Sequence, residues 1–193
     1  MKWIKRNEAV YGSDALLVTI DISDITMLKQ NIVNTPDRRI RICTHPNSNH
    51  LLHEMIIVLS KGSYIRPHKH LNKSESFHII EGRLDVVIFD EVGEISDVIE
   101  MGDFNSGKCF FYRLSAPCFH TLLLRSDLAI FHETTNGPFR KEETIFAPWS
   151  PEQDDYAGSV RFLLNLQNKI VGQKIQSGIG CQRGKQSDGC AQS

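Results

Sequence analysis

The chain has 193 residues, room for one domain and a modest appendage but not for two full-sized domains. Apolar residues make up 40% and charged residues 23%, the make-up of a folded globule rather than of a disordered chain. Lys and Arg number 22 against 23 Asp and Glu, a formal net charge of −1, so the strong positive field of a nucleic-acid binder or a polybasic membrane-surface protein is missing.

The longest unbroken apolar run, Met55 to Leu59, is far shorter than the roughly 20 residues of a membrane helix, so no membrane span is expected. The basic opening Met-Lys-Trp-Ile-Lys-Arg is followed by Asn7, Glu8, Gly12, Ser13 and Asp14, which interrupt the apolar stretch an export signal needs. The five cysteines form an odd set without framework spacing, which points to reduced thiols. A cytoplasmic location follows as the expectation.

Residues 1–35 read as a mixed segment that packs on the main domain. Leu16–Ile20 has the composition of a strand. Ser23, with Asp24 in the following turn, starts a helix on which Ile25, Leu28, Ile32 and Val33 share a face, and Pro36 ends it. Residues 36–156 read as the main domain. Nine short runs rich in Val, Ile, Phe and Tyr recur between Gly, Pro, Asn and Asp: Arg39–Cys43, Glu54–Leu59, Ser63–Pro67, Ser76–Glu81, Arg83–Asp90, Ile95–Glu100, Lys108–Leu114, Phe119–Leu124 and Leu128–Glu133. Short strands without a long helical pattern predict an all-β sandwich or barrel. Residues 157–193 read as an extension of different composition, with five basic residues against Asp188 alone. Val160, Leu163, Leu164 and Val171 would form one face of a short helix. The end, where ten of the last 17 residues are Gly, Ser or Gln, reads as disordered.

Chemistry concentrates between Gly62 and Gly82. His68 and His70 are two apart, so on an extended segment both imidazoles leave the same face. A short polar loop follows, and Glu75 opens the next strand, where its carboxylate can return beside the two rings. Two neutral imidazoles and a carboxylate converging on one point suit a divalent transition metal. His120, which starts an apolar strand after the Pro117 turn, is the candidate fourth ligand. The imidazole-rich shell favours Fe, Mn, Zn, Ni or Co over Mg or Ca.

Gly62, five residues, His-x-His, four residues, Glu75, six residues and Gly82 together reproduce the first sequence motif of the cupins, and Pro117 with His120 fits part of the second. Arg38 to Pro46, His53-Glu54-Met55, Gly62 to His70, Lys73 to Leu84, Glu133 to Phe139 and Phe146 to Trp149 further resemble the WbuC-type cupin-fold metalloproteins. That resemblance implies a double-stranded β-helix (a jelly-roll barrel), a bound divalent metal and a link to bacterial surface-polysaccharide (lipopolysaccharide, O-antigen) biosynthesis. It leaves the reaction open.

Strand alternation sorts the remaining polar residues. If Glu75 faces inward, so do Phe77 and Ile79, and His78 faces out. His132 and Glu133 point to opposite faces, and Glu133 is the candidate acid–base group. Tyr64 and Arg66 share the parity of the two histidines, which makes Tyr64 a candidate catalytic group and Arg66 a candidate for holding an anionic ligand. Arg41 is a weaker candidate for the same pocket. An Arg66 paired with Glu54 or Glu133 would instead leave the pocket neutral.

Two functional classes fit these residues. One is a metalloenzyme of isomerase, epimerase-like or dioxygenase type acting on a small sugar-like or carboxylated metabolite. The other is a non-catalytic, metal-dependent binding or regulatory module, distinguished by the lack of a titratable group near the metal. The expected partner is a small, anionic molecule rather than nucleic acid or membrane, and a homodimer is compatible with the sequence.

Overall fold

The computed structural model describes residues 3–177, with side chains described through Gly172. The end expected to be disordered, with Cys181 and Cys190, lies outside the described residues. Ten strands follow one another as β1 (Ile4–Asn7), β2 (Val10–Gly12), β3 (Arg39–Cys43), β4 (Leu52–Ser60), β5 (His68–His70), β6 (Glu75–Phe89), β7 (Ile95–Gly102), β8 (Phe111–Leu114), β9 (Phe119–Asn136) and β10 (Thr144–Phe146). Two helices, α1 (Ile22–Asn31) and α2 (Tyr156–Ser177), flank the strand block.

The architecture follows from β6 and β9, the two longest strands, which pair with each other in both their first and second halves. Their first and second halves belong to different layers. In one layer the order is β1, β2, β3, β4, the second half of β9, the first half of β6, then β8. In the other layer it is β7, the second half of β6, the first half of β9, β5, then β10. The β6–β9 register slips between Ile79 and Glu81 and again between Gly82 and Leu84, where bulges let both strands turn from one layer into the other.

Gly82 is required at this turn. Its φ is +83°, and a Cβ there would lie 2.1 Å from the Leu128 carbonyl oxygen. The result is an all-β, double-stranded β-helix of two layers, as the alternating runs predict.

Three apolar clusters hold the layers. Met55, Ile57, Phe77 and Phe131 from the first layer meet Leu84, Val86 and Leu122 from the second in the space between them. On the outside of the first layer, Ile40, Ile42, Ile56 and Val58 pack against Ile25 and Leu28 of α1. On the outside of the second, Val87, Phe89, Phe119 and Leu123 pack against Leu166 and Ile170 of α2.

Several local expectations change. Leu16–Ile20 is not a strand. It pairs with no ladder, and Leu16 and Leu17 are exposed. The N-terminal strands are β1 and β2 instead, with β2 parallel to β3. The α1 N-cap is Asp21, whose side chain accepts from the Ser23 amide, while Asp24 accepts from the Asp21 amide to complete a capping box. Residues 63–67 lie outside any strand, so the His-x-His strand begins at His68. In α2 the buried residues through Gly172 are Gly158, Ser159, Leu166 and Ile170, whereas Leu164 and Val171 are exposed. Membership of the apolar face was therefore only partly legible from the residue types.

Candidate metal centre

His68 and His120 are directly opposed across the β5–β9 ladder, and His70 leaves the same face of β5 two residues on. The ligating nitrogens available on His68, His70 and His120 all lie within 4.8 Å of one another, a cluster able to hold a metal ion. Glu75 approaches from the other layer, at the first residue of β6, opposite Thr135 and Leu114. Its Oε1 is 3.1 Å from His120 Nε2 and its Oε2 is 3.7 Å from His70 Nε2. The four donors thus converge in the space between the layers.

The rings are oriented by their second nitrogens. His68 Nδ1 lies 2.8 Å from the Arg66 carbonyl oxygen and His120 Nδ1 lies 3.0 Å from that of Cys118. Donation from Nδ1–H to these carbonyls sets the tautomer that leaves Nε2 free as a lone-pair donor. The His70 Nδ1 is 3.2 Å from the Thr144 hydroxyl on β10. The Tyr112 hydroxyl donates to Glu75 Oε1 at 3.1 Å.

Burial, with His120 and His70 beside it, lowers His68 to about 3, so its ring is neutral at physiological pH. Burial alone would raise Glu75, but His120, His68 and His70 outweigh it and hold the carboxyl below its ordinary value. The same contact works in reverse on His120: burial lowers it, and the adjacent Glu75 more than offsets this. His68 and Glu75 thus stand in the protonation states a divalent metal needs, and His120 would release its proton on binding one.

The donors open onto a cavity of about 420 Å³ lined also by Arg39, Arg41, Glu133 and apolar side chains of both layers, with Phe139, Lys141 and Phe146 at its mouth. A second hollow of about 330 Å³ continues from it, sharing Arg41, His70, Glu133 and Phe139. Glu133 faces inward with Phe131, and burial together with the Glu75 charge raises its carboxyl to about 7. His132, on the opposite face, lies 3.6 Å from Glu54.

Two expectations are corrected here. Tyr64 does not line the cavity, because its hydroxyl donates to the Pro151 carbonyl at 2.9 Å and its ring packs edge-on to Phe162 of α2. The chain from 63 to 67 is not a strand, so alternation does not carry through it. Arg66 does reach the cavity wall, but its guanidinium pairs with Glu152, not with Glu54 or Glu133, and lies over the Phe146 ring. Its charge is therefore already matched. Arg41 lines the cavity, as does Arg39, which sequence reasoning missed. The signal was present in Arg39-Ile40-Arg41-Ile42, whose alternation puts both arginines on one face. His78 is exposed, and His45 and His53 stack on each other with ring centroids 4.1 Å apart. No second metal-ligating group is found among the described residues.

A family model described as a domain of unknown function (DUF6016) matches residues 20–101. No curated protein matches the chain. Solved structures similar to it include protein SO0799 from Shewanella oneidensis, 16% identical over 64% of this chain and 78% of that one, with a TM-score of 0.46. Another is an oxalate oxidase in complex with the substrate analogue glycolate, 15% identical over 72% and 75% of the two chains, TM-score 0.46. A third is the Cnp3 cupin domain of Schizosaccharomyces pombe, 10% identical over 51% and 64%, TM-score 0.40. Among the described residues no helix is long and apolar enough to cross a membrane.

Proposed function

We propose that this chain is a metal-dependent cupin that acts on a small anionic, sugar-like or carboxylated metabolite, with one divalent transition metal held by His68, His70, Glu75 and His120. The observation that carries this reading is the convergence of three imidazoles from one layer and a carboxylate from the other, with Nδ1 of His68 and His120 already satisfied by backbone carbonyls. Three nitrogens and one oxygen suit Fe, Mn, Zn, Ni or Co. Bound there, such an ion would polarise a carbonyl or lower the pKa of a coordinated water.

Glu133 supports an enzyme over a passive binding module. It lines the same cavity as the four donors, and its carboxyl is raised to about 7, the range in which a group both gives and takes a proton. Tyr64, with its hydroxyl tied to Pro151, has no part in this reading. The WbuC-type resemblance of residues 38–155 supports a place in bacterial surface-polysaccharide biosynthesis, in the cytoplasm; the homodimer belongs to the same reading.

The test is elemental analysis of purified wild type beside His70→Ala. About one equivalent of a transition metal in the wild type and a clear loss in the variant are expected. Equal metal content in both would end the reading.

A further inference from the structure

Arg39 and Arg41 are two residues apart on β3 and leave it on the inner face, while Ile40 and Ile42 point outward and are fully buried beneath α1. Their ladder neighbours on β4 are Leu59 and Ile57, both buried and apolar. Two guanidinium groups therefore stand side by side in an otherwise apolar wall of the cavity. Among the described residues no carboxylate comes within ion-pair distance of either, and Arg41 Nε is buried with no hydrogen-bond partner. Arg66 and Arg125, by contrast, each have a carboxylate partner. Glu75 is taken up by the histidines, which leaves Glu133 as the one acid in the lining facing two cations.

Holding two partly buried like charges side by side with no carboxylate in ion-pair contact costs free energy, which an anionic ligand would offset. Arginine's planar fork is matched to the paired oxygens of phosphate and carboxylate.

We propose that Arg39 and Arg41 form the binding site for an anionic tail, phosphoryl or carboxylate, of a bifunctional molecule whose other end lies at the His68, His70, Glu75 and His120 centre. This deepens the proposed function and rests on it only for the position of that other end. The cavity sets an upper bound on the ligand's size. β3 is three strands from β6, which is about 14 Å at the backbone. Extended arginine and glutamate side chains cover much of that gap, so the cavity rather than the backbone spacing bounds the ligand. A chain of roughly five or six atoms fits, the length of a sugar phosphate or sugar acid, and a cavity of about 420 Å³ accommodates it.

The experiment measures binding of inorganic phosphate, glucose 6-phosphate, gluconate and glucose to the full chain, by calorimetry and thermal shift, with and without metal. Phosphate and glucose 6-phosphate should bind the wild type even when it is stripped of metal, and glucose should not. Arg39→Gln and Arg41→Gln should each weaken phosphate binding by roughly tenfold or more, with Arg41→Lys in between. Gluconate binding in place of phosphate, with the same dependence on both arginines, would assign the tail as a carboxylate.

In anion-free buffer both Gln variants should melt no lower than the wild type, because they remove unpaired charge. His70→Ala should lose metal yet keep phosphate binding, so a failed metal reading and a failed arginine site are distinguishable. Phosphate and gluconate both failing to bind the wild type, or binding unchanged in both Gln variants, would overturn the proposal. So would a fall in melting temperature of both variants in anion-free buffer, which would make the arginines structural.

Discussion

Glu75 and His120 belong to opposite layers of the double-stranded β-helix, yet Oε1 of one lies 3.1 Å from Nε2 of the other. That contact joins the two layers at the site, so in the proposed metal centre the carboxylate would serve as a donor and as a charge. Each partner's titration is moved toward its charged form by the other.

Replacing Glu75 by Gln should weaken transition-metal binding by well over tenfold, since a neutral amide takes the place of the carboxylate whose charge complements the ion. Tyr112→Phe deletes only the hydroxyl that donates to Glu75 Oε1 and should cost less, on the order of tenfold, as outer-shell partners of metal ligands do. Competition titrations against a chelator would measure both. Equal affinity in wild type and Glu75→Gln would remove the carboxylate from the site.

The Gly82 turn is open to a simple test. A Cβ 2.1 Å from the Leu128 carbonyl oxygen, at φ +83°, cannot be absorbed without moving β6 or β9. Gly82→Ala should destabilise the fold by about 2–4 kcal/mol, a fall in Tm of roughly 5–15 °C for a chain of this size. An unchanged Tm would mean the crossing between layers tolerates a side chain.

Glu133 supplies a pH dependence. Its carboxyl is raised by burial first and by Glu75 next, against the opposing pull of Arg41, Arg39 and His120. A folded value of about 7 above an ordinary 4.5 means the native state holds its proton longer than the unfolded chain does. The penalty is therefore absent at acidic pH, grows as pH rises from 4.5 towards 7, and is full above that. In metal-free protein Glu133→Gln should gain stability relative to wild type across that window, reaching roughly 2 kcal/mol after allowance for partial exposure. Denaturant melts at acidic and neutral pH would show it, and a difference that does not vary with pH would refute it.

The C-terminal helix is integral to the second layer rather than a separable extension. Leu166 and Ile170 are buried on Val87, Phe89, Phe119 and Leu123, on the back of the sheet whose inner face carries His120. Ile170→Ala should cost about 2–4 kcal/mol, Leu164→Ala less than about 0.5, and truncation after Gly158 more than about 8 °C in Tm. Full stability after truncation would make α2 dispensable.

What the sequence determined by itself is local. The spacing from Gly62 to Gly82 named His68, His70 and Glu75 as a group, and alternation from Glu75 separated inward Phe77 and Ile79 from outward His78. These relations hold along a single strand, where successive side chains point to opposite faces whatever lies beyond them. Tertiary structure decided the rest, because both faces of β3 are covered. Ile40 and Ile42 look like core, and they are, but their core is the one beneath α1, which turns Arg39 and Arg41 toward the cavity. Alternation shows which residues share a face, and only the packing of the neighbouring layer shows what that face meets. Tyr64 departs for the complementary reason: residues 63–67 leave the ladder, so parity with His68 no longer fixes direction, and its hydroxyl finds Pro151, far away in sequence.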